Sequence, residues 1–154
     1  MQITIPYAPR ELQREIHDQL SRHRWAVLSL HRRAGKSVMC INELIKRALT
    51  NKMWNPRYAY IGPTYKQTKS IIFDYLKHYA GVIPGVKFNE QELSCTFPNG
   101  AKISLLGSEN PDSLRGNYFD GIIADEYAQI NPRLFPEIIR PALSDRKGLS
   151  LIHI

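Results

Sequence analysis

At 154 residues, the chain has the length of one domain and can bury a core, and its 43% hydrophobic and 23% charged residues exclude a disordered protein. No apolar run approaches the length of a bilayer span, so we expect a soluble intracellular protein with no membrane partner. The net charge of +7 resides in residues 1–60, which hold eleven Lys/Arg and four Asp/Glu, and it indicates either a polyanion partner or simply a basic surface.

The first half of the chain alternates helical and strand patterns. Pro9 to Leu20 carries apolar residues at every fourth position, which predicts a helix. WAVLSL, residues 25–30, is a short apolar run that predicts a buried strand, and residues 38–48 then keep helical spacing. RYAYIG, residues 57–62, predicts a second buried strand, and residues 67–79 predict a second crossover helix.

The second half begins with strand-like patterns. VKF, ELSCTF and AKISLLG lie between residues 86 and 107, and Pro98-Asn99-Gly100 supplies a hairpin turn. Residues 119–126 predict another buried strand, and residues 132–143 a helix that Pro136 and Pro141 shorten or kink. Strands alternating with helices predict an α/β fold, with a mostly parallel sheet, helices on both faces and an inserted β-hairpin.

The cysteines and histidines do not have metal-ligand spacing. Cys40 and Cys95 are far apart in sequence, so we expect two reduced thiols, each buried or half-buried. The histidines form no cluster, and we interpret all five as surface residues: His17, His23, His31, His78 and His153.

SLHRRAGKSV, residues 29–38, ends as a phosphate-binding loop does, although Leu30 stands where the full pattern has its first glycine. Free backbone N–H groups at a helix N-terminus hold phosphate oxygens, and Gly35 allows the backbone to approach them closely. Lys36 would reach the β- and γ-phosphates, and the Ser37 hydroxyl would ligate Mg²⁺. Because Gly-Lys-Ser also occurs by chance, this motif alone does not decide for a nucleotide site.

GIIADE, residues 121–126, has the Walker B arrangement, in which a buried strand delivers acids to the phosphate loop. Asp125 would ligate the Mg²⁺ or hold one of its waters, and Glu126 would polarise the water that attacks the γ-phosphate. Taken alone, the two acids could equally form a solvated turn or a helix cap. Both motifs, in this order and each after a strand, predict an ATP site in a P-loop NTPase of the ASCE/RecA-like type.

Gln13 lies on the helix that precedes the first strand, where many nucleotide motors use a glutamine to contact adenine. An amide can donate to and accept from the N6/N7 edge of adenine at once, which selects ATP over GTP. The alternative interpretation of Gln13 is an ordinary surface glutamine.

Together these segments resemble the N-terminal ATPase domain of the large subunit of a tailed-bacteriophage terminase, the DNA-packaging motor. The matching pieces cover nearly the whole chain in family order: LQREI, HRRAGKS, YIGPTYKQTKSIIFDYL, SLRGNYFDGIIADEYAQI and IIRPALSDRKG. In this family the arginine-bearing loop also lacks the first glycine. The Ser-x-Arg-Gly segment before the Walker B strand is the most specific match.

The resemblance implies a motor that uses ATP and Mg²⁺ to move double-stranded DNA into a prohead, in the host cytoplasm and docked at the portal. Implied partners are the portal protein, the small terminase subunit and further copies in a ring, pentameric in the family. Arg115 would act as an arginine finger on the neighbouring subunit's γ-phosphate, unless it only pairs with Asp112 or Asp120. Arg32 or Arg33 would act in cis, beside Ala34 in the phosphate loop, and the family pattern slightly favours Arg32.

Three further interpretations remain open. Thr64 and Tyr65 resemble a segment that faces nucleic acid in helicase-like motors, although Thr64 could simply be a helix N-cap. The alternatives to a packaging motor are a helicase-like DNA-dependent ATPase and a truncated ATP-binding module without turnover. We interpret residues 1–148 as the ATPase domain, without the nuclease domain of full-length relatives. LSLIHI, residues 149–154, matches the translation of a sequencing adaptor, so we expect it not to be native.

Overall fold

The computed structural model describes residues 2–31, 33–109 and 111–153. They contain one seven-stranded sheet with the strands β1 (Trp25–Leu28), β2 (Arg57–Gly62), β3 (Lys87–Asn89), β4 (Ser94–Thr96), β5 (Lys102–Gly107), β6 (Gly121–Ala124) and β7 (Leu149–His153). Their order across the sheet is β1-β7-β6-β2-β5-β4-β3. Neighbouring strands pair in parallel in the part of the sheet formed by β1, β7, β6, β2 and β5. The strands β4 and β3 add antiparallel pairs beyond β5.

Helical segments connect most of the strands. The α-helices are α1 (Glu11–Arg22), α2 (Lys36–Thr50), α3 (Tyr65–Gln67), α4 (Phe73–Ala80) and α5 (Arg140–Ser144). A π-helical turn, Thr68–Ile72, joins α3 to α4, so the helix predicted over residues 67–79 spans Tyr65 to Ala80. A second π-helical turn, Phe135–Ile139, leads into α5, and 3₁₀ turns cover Pro111–Leu114 and Tyr127–Gln129.

Side chains of β2 alternate between two hydrophobic cores. Tyr58 and Tyr60 face the core formed with α1, α2 and α4, whereas Ala59 and Ile61 face the core formed with α5 and the π-helical turn before it. This alternation places helices on both faces of a mostly parallel sheet. The predicted α/β architecture is therefore confirmed.

The prediction of a buried first strand was wrong. β1 stands at one end of the strand order and pairs with β7. The side chains of Trp25 and Val27 keep 44% and 65% of their surface exposed. An apolar run indicates burial but does not reveal that a strand will lie at the edge of a sheet.

The inserted hairpin is present, and the three predicted strand-like segments form β3, β4 and β5. The turn predicted at Pro98-Asn99-Gly100 joins β4 to β5, with the Gly100 N–H donating to Phe97 O at 2.9 Å. Gly100 has φ +88°, a conformation that favours glycine. β3 extends this antiparallel group, and β5 also pairs in parallel with β2, so the insertion is continuous with the main sheet.

The last helix is interrupted as predicted: a π-helical turn precedes a short α-helix. Pro136 lies in the π-helical turn Phe135–Ile139, and Pro141 lies in the first turn of α5. Proline lacks the N–H that an α-helical hydrogen bond needs, which accounts for a wider turn at this place.

Residues 149–153 form β7, which pairs with β1 on one side and β6 on the other. Leu149 and Leu151 are buried in the core. Strand pairing needs only backbone groups and apolar side chains. A native and a foreign sequence with apolar residues at positions 149 and 151 could therefore both form this strand. The foreign origin of residues 149–154 therefore stays a prediction. Within the described part of the chain, no helix has the length and hydropathy to cross a bilayer.

Candidate functional site: a phosphate loop beside a Walker B strand

The phosphate loop connects β1 to α2, and α2 begins at Lys36. Gly35 is its N-cap and has the left-handed conformation, with φ +79° and ψ 29°. The Gly35 carbonyl accepts the helical bond from Met39 N at 3.0 Å. The N–H groups in the first turn of this 15-residue helix have no partner in the helical ladder, so they can bind an anion.

Gln13 contacts this loop from α1. Its Nε2 donates to Gly35 O at 3.2 Å, and its Oε1 accepts from Arg10 N at 2.9 Å. The residue is only 5% exposed, so it is not an ordinary surface glutamine. A contact with adenine stays a prediction, and it requires the amide to exchange its bond to Gly35.

The remaining loop residues differ in their exposure. Ala34 is buried, whereas Arg33 is exposed and has φ +65°. Lys36 Nζ donates to Leu30 O at 3.0 Å, so the lysine folds back over its own loop. Arg32 lies outside the described residues, and the choice between the two arginines stays open.

The Walker B strand, β6, is buried along its length, and Asp125 follows it directly. Asp125 N donates to Ile61 O of the neighbouring β2 at 2.8 Å. The Asp125 carboxylate accepts a hydrogen bond from the hydroxyl of Tyr60, with 2.5 Å between Oη and Oδ2. Tyr60 belongs to β2 and is fully buried, so the carboxylate is anchored from inside the sheet.

Glu126 comes next and is exposed. Its backbone has the left-handed conformation, with φ 47° and ψ 52°. Such a conformation costs a non-glycine residue on the order of 1–3 kcal/mol and is often found where function fixes a side chain. A 3₁₀ turn, Tyr127–Gln129, follows immediately after the two acids.

Ser37, Asp125 and Glu126 line one cleft with a volume of about 240 Å³. The parallel pairing of β2 with β6 brings the carboxyl ends of both strands to the same edge of the sheet, beside the start of α2. The sequence prediction that these three residues share a site agrees with this geometry. Their chemical roles stay predictions.

Three residues of the cleft with polar side chains were missed by the sequence analysis: Tyr60, Gln67 and Thr68. Gln67 and Thr68 lie where α3 meets its π-helical turn, and π turns recur at functional sites. The signal that could have found them is topological, since they follow the strand that neighbours the Walker B strand. Thr68 also packs against Gly62, where a Cβ atom would collide with the Thr68 hydroxyl.

Burial controls the electrostatics beneath the cleft. Desolvation, and then the charge of Asp125, raises the pKa of Tyr60 well above its ordinary value. Desolvation raises the pKa of Cys40 in the same way, with a further contribution from Asp125. Both groups therefore stay protonated at neutral pH.

Ser37 and Asp125 fit a hard divalent cation, which prefers hydroxyl and carboxylate oxygens. Both residues line the same cleft, and Asp125 accepts a hydrogen bond from the Tyr60 hydroxyl. The fold thus brings the two donor residues to one cleft.

Arg115 lies on a different part of the surface. Its Nε donates to Asp112 Oδ1 at 2.9 Å, and its Nη2 donates to Glu137 Oε2 at 2.9 Å. Among the described residues, those lining the cleft do not include Arg115. The predicted pairing with Asp112 is present, whereas Asp120 pairs with Arg146 instead, at 3.4 Å.

Thr64 is the N-cap of α3, because its Oγ1 accepts from Gln67 N at 3.2 Å. Tyr65 N donates to Glu109 Oε1 at 2.7 Å, and the Tyr65 hydroxyl donates to Gln91 O at 2.9 Å. The N-cap interpretation of Thr64 is therefore correct. A contact of this segment with nucleic acid stays a prediction.

One histidine assignment was wrong, and the cysteine assignment is confirmed. His17 is not a surface residue: its side chain is 14% exposed and its Nδ1 lies 2.5 Å from Oε2 of the buried Glu43. Cys40 and Cys95 are both buried and both free thiols.

Comparison with known proteins decides the family. The sequence model described as "Terminase large subunit, T4likevirus-type, N-terminal" matches residues 27–147, which include both the phosphate loop and the Walker B strand. The chain belongs to this family. A curated relative, the terminase large subunit of Thermus virus P23-45, is 28% identical over 171 aligned positions. That alignment covers 96% of the chain and 34% of the relative, so the chain spans about a third of the length of that terminase.

Solved structures agree with the terminase assignment. The large terminase ATPase domain of Thermus phage P74-26 matches with a TM-score of 0.80 and 28% identity, over 97% of the chain and 65% of that domain. The large terminase of bacteriophage HK97 matches with a TM-score of 0.77 over 97% of the chain and 33% of its own length. At 18% identity, the second comparison concerns the fold alone. Both support the P-loop NTPase fold for this terminase chain.

Proposed function

We propose that the chain is the ATP-hydrolysing motor domain of a terminase large subunit, which drives double-stranded viral DNA into a prohead. The observation that carries the proposal is the convergence of Ser37, Asp125 and Glu126 on one cleft at the N-terminus of α2. A phosphate-binding helix end, a pair of cation ligands and a general base are the parts that phosphoryl transfer to water requires.

Binding begins with the phosphates of ATP. The N–H groups of the first turn of α2 bind phosphate oxygens, and Lys36 exchanges its bond to Leu30 O for the β- and γ-phosphates. Gln13 contacts adenine from α1, and Arg33 or Arg32 approaches the phosphates in cis. Arg33 is exposed at the loop, where it can turn toward bound nucleotide.

Hydrolysis requires a cation ligand pair and a base. Ser37 and Asp125 would hold Mg²⁺, which neutralises charge on the β- and γ-phosphates when it is bound. Glu126 is exposed to the cleft and accepts the proton of the attacking water. The left-handed backbone of Glu126 fixes the direction from which its carboxylate reaches that water.

Arg115 acts on the neighbouring subunit of a ring. It lies away from its own cleft, on an exposed surface where a guanidinium can reach a second molecule. Further partners of the complete protein are double-stranded DNA, the portal protein and the small terminase subunit, and the ring is pentameric by resemblance. The place of action is the prohead portal in the host cytoplasm.

The alternatives are an ATP-binding module without turnover and a helicase-like DNA-dependent ATPase. Neither is favoured, because the matching family model describes a terminase large subunit. Arg115 is held by Asp112 and Glu137 of its own chain, so an isolated subunit offers no finger to its own nucleotide.

Glu126→Gln separates an enzyme from a binder. We expect this variant to retain ATP affinity and to lose phosphate release, because the amide preserves shape and removes the base. Phosphate release and equilibrium ATP binding should be measured on the same preparations. Wild-type protein that binds ATP but releases phosphate no faster than Glu126→Gln would contradict the motor and support the binding module.

A further inference from the structure

Tyr60 lines the cleft together with both proposed cation ligands, Ser37 and Asp125. Its ring packs in the core formed with α2 and α4, and the residue has no exposed surface. Its hydroxyl lies 2.5 Å from Asp125 Oδ2. A phenol of β2 therefore holds the carboxylate that follows β6.

The direction of this hydrogen bond follows from the number of protons. A phenol has one proton, and a carboxylate can only accept, so Tyr60 donates to Asp125. A carboxylate has about four acceptor sites, so Asp125 can accept from Tyr60 and ligate a cation at the same time.

A buried tyrosine hydroxyl needs a partner wherever it lies, and Tyr58 shows the purely structural case. Tyr58 precedes Tyr60 by two residues on the same face of β2 and is also buried. Its hydroxyl accepts from Asn51 Nδ2 at 3.0 Å and donates to Arg47 O at 3.3 Å, at the opposite end of α2. The two tyrosines belong to the same core and differ in what their hydroxyls contact.

We propose that Tyr60 is a positioning residue that orients Asp125 for a divalent cation and so sets the cation affinity of the nucleotide complex. This inference rests on the proposed function. Residues that hydrogen-bond to metal ligands and orient them contribute about 10- to 100-fold to metal affinity.

The test compares Tyr60→Phe with the matched control Tyr58→Phe. A fluorescent, non-hydrolysable ATP analogue reports binding while Mg²⁺ is titrated, and EDTA gives the affinity without a cation. We expect Tyr60→Phe to raise the Mg²⁺ concentration for half-saturation about tenfold and to leave the affinity in EDTA unchanged. Tyr58→Phe should bind Mg²⁺ as the wild type does, because its hydroxyl lies outside the site.

Asp125→Asn provides a second measurement. If Tyr60 acts through Asp125, its substitution should change Mg²⁺ affinity much less in the Asp125→Asn background than in the wild type. Folding is checked for each variant by circular dichroism and thermal unfolding. A folded Tyr60→Phe with wild-type Mg²⁺ affinity would overturn the inference and leave the proposed function intact. Nucleotide binding that is independent of Mg²⁺ in the wild type would instead overturn the cation site, and the inference with it.

Discussion

Gly35 and Glu126 hold left-handed backbone conformations on the two sides of the cleft, with φ +79° and +47°. Glycine adopts this conformation at little cost, whereas glutamate does not. At Gly35 the absence of a side chain permits the left-handed conformation, whereas at Glu126 the surrounding fold has to stabilise it. Both residues belong to motifs that the sequence analysis identified, but the strain at Glu126 is a tertiary property that no motif contains.

Gly35→Ala should lower nucleotide affinity. A Cβ atom would lie 2.5 Å from Arg10 Nη2 and 2.5 Å from Gln13 Nε2, so Gln13 would leave its bond to Gly35 O. The left-handed conformation adds a cost of about 1–2 kcal/mol, which corresponds to roughly tenfold in affinity. Equilibrium titration with ATP measures the change.

Gly100→Ala is the matched control for that substitution. Gly100 has φ +88° but no atom within 4 Å of an added Cβ, and it lies in the hairpin turn. It should carry a similar backbone cost without changing ATP affinity. Equal losses of affinity in both variants would show that general destabilisation, not the phosphate loop, causes the effect.

At the scale of elements, α1 is attached to α2 by a buried polar cluster. Glu43 of α2 accepts from Arg47 Nε at 2.8 Å and bonds to His17 of α1, whose other ring nitrogen lies 2.8 Å from the Tyr7 hydroxyl. Burial alone would raise the pKa of Glu43, but the hydrogen bonds from His17 and Arg47 lower it below the ordinary value of 4.5. This attachment also places Gln13 on the phosphate loop.

The Glu43 cluster predicts a loss of stability in acid. Because the folded pKa is lowered, the contribution is complete above pH 4.5 and is lost as the pH falls through the folded value. We expect the free energy of unfolding, measured with denaturant, to fall in that range for the wild type. Glu43→Gln should be less stable at neutral pH and should lose this part of the pH dependence.

Asp18→Asn is the control for the Glu43 measurement. Asp18 forms an exposed i,i+4 pair with Arg22 on α1, and such pairs contribute little to stability. The acid dependence of this variant should follow the wild type. An acid slope that survives in Glu43→Gln would assign the dependence to other carboxylates.

At the scale of the whole molecule, the order of the strands was only partly predictable. Alternating strand and helix patterns predicted the parallel sheet, and the motifs predicted which strand ends meet. The sequence could not show that β7 separates β1 from β6, because neighbours in a parallel sheet need not be neighbours in the chain. For the same reason the edge position of β1 and the role of Tyr60 depend on contacts that only the folded chain reveals.

Arg115 makes a prediction about assembly. If it acts on a neighbouring subunit, the ATPase rate per subunit should rise with protein concentration, and Arg115→Ala should remove that rise. Arginine fingers contribute on the order of 10³ or more in rate. The rate per subunit is measured as phosphate release across a range of protein concentrations.

Arg133→Ala is the matched control, because Arg133 pairs with the same carboxylate, Glu137, at 2.9 Å. This variant breaks the same ion-pair network but keeps Arg115. The ATPase rate per subunit should therefore still rise with protein concentration. A rate per subunit that stays constant with wild-type concentration would contradict action in trans.

Calorimetric titration of the 154-residue chain with ATP and Mg²⁺ tests the phosphate loop most directly, with Lys36→Ala as the comparison. We expect one ATP per chain, weaker binding in EDTA, and loss of binding in a folded Lys36→Ala variant. Binding that is equal in the wild type and Lys36→Ala, or no binding by a folded wild-type chain, would contradict a nucleotide site at Gly35-Lys36-Ser37.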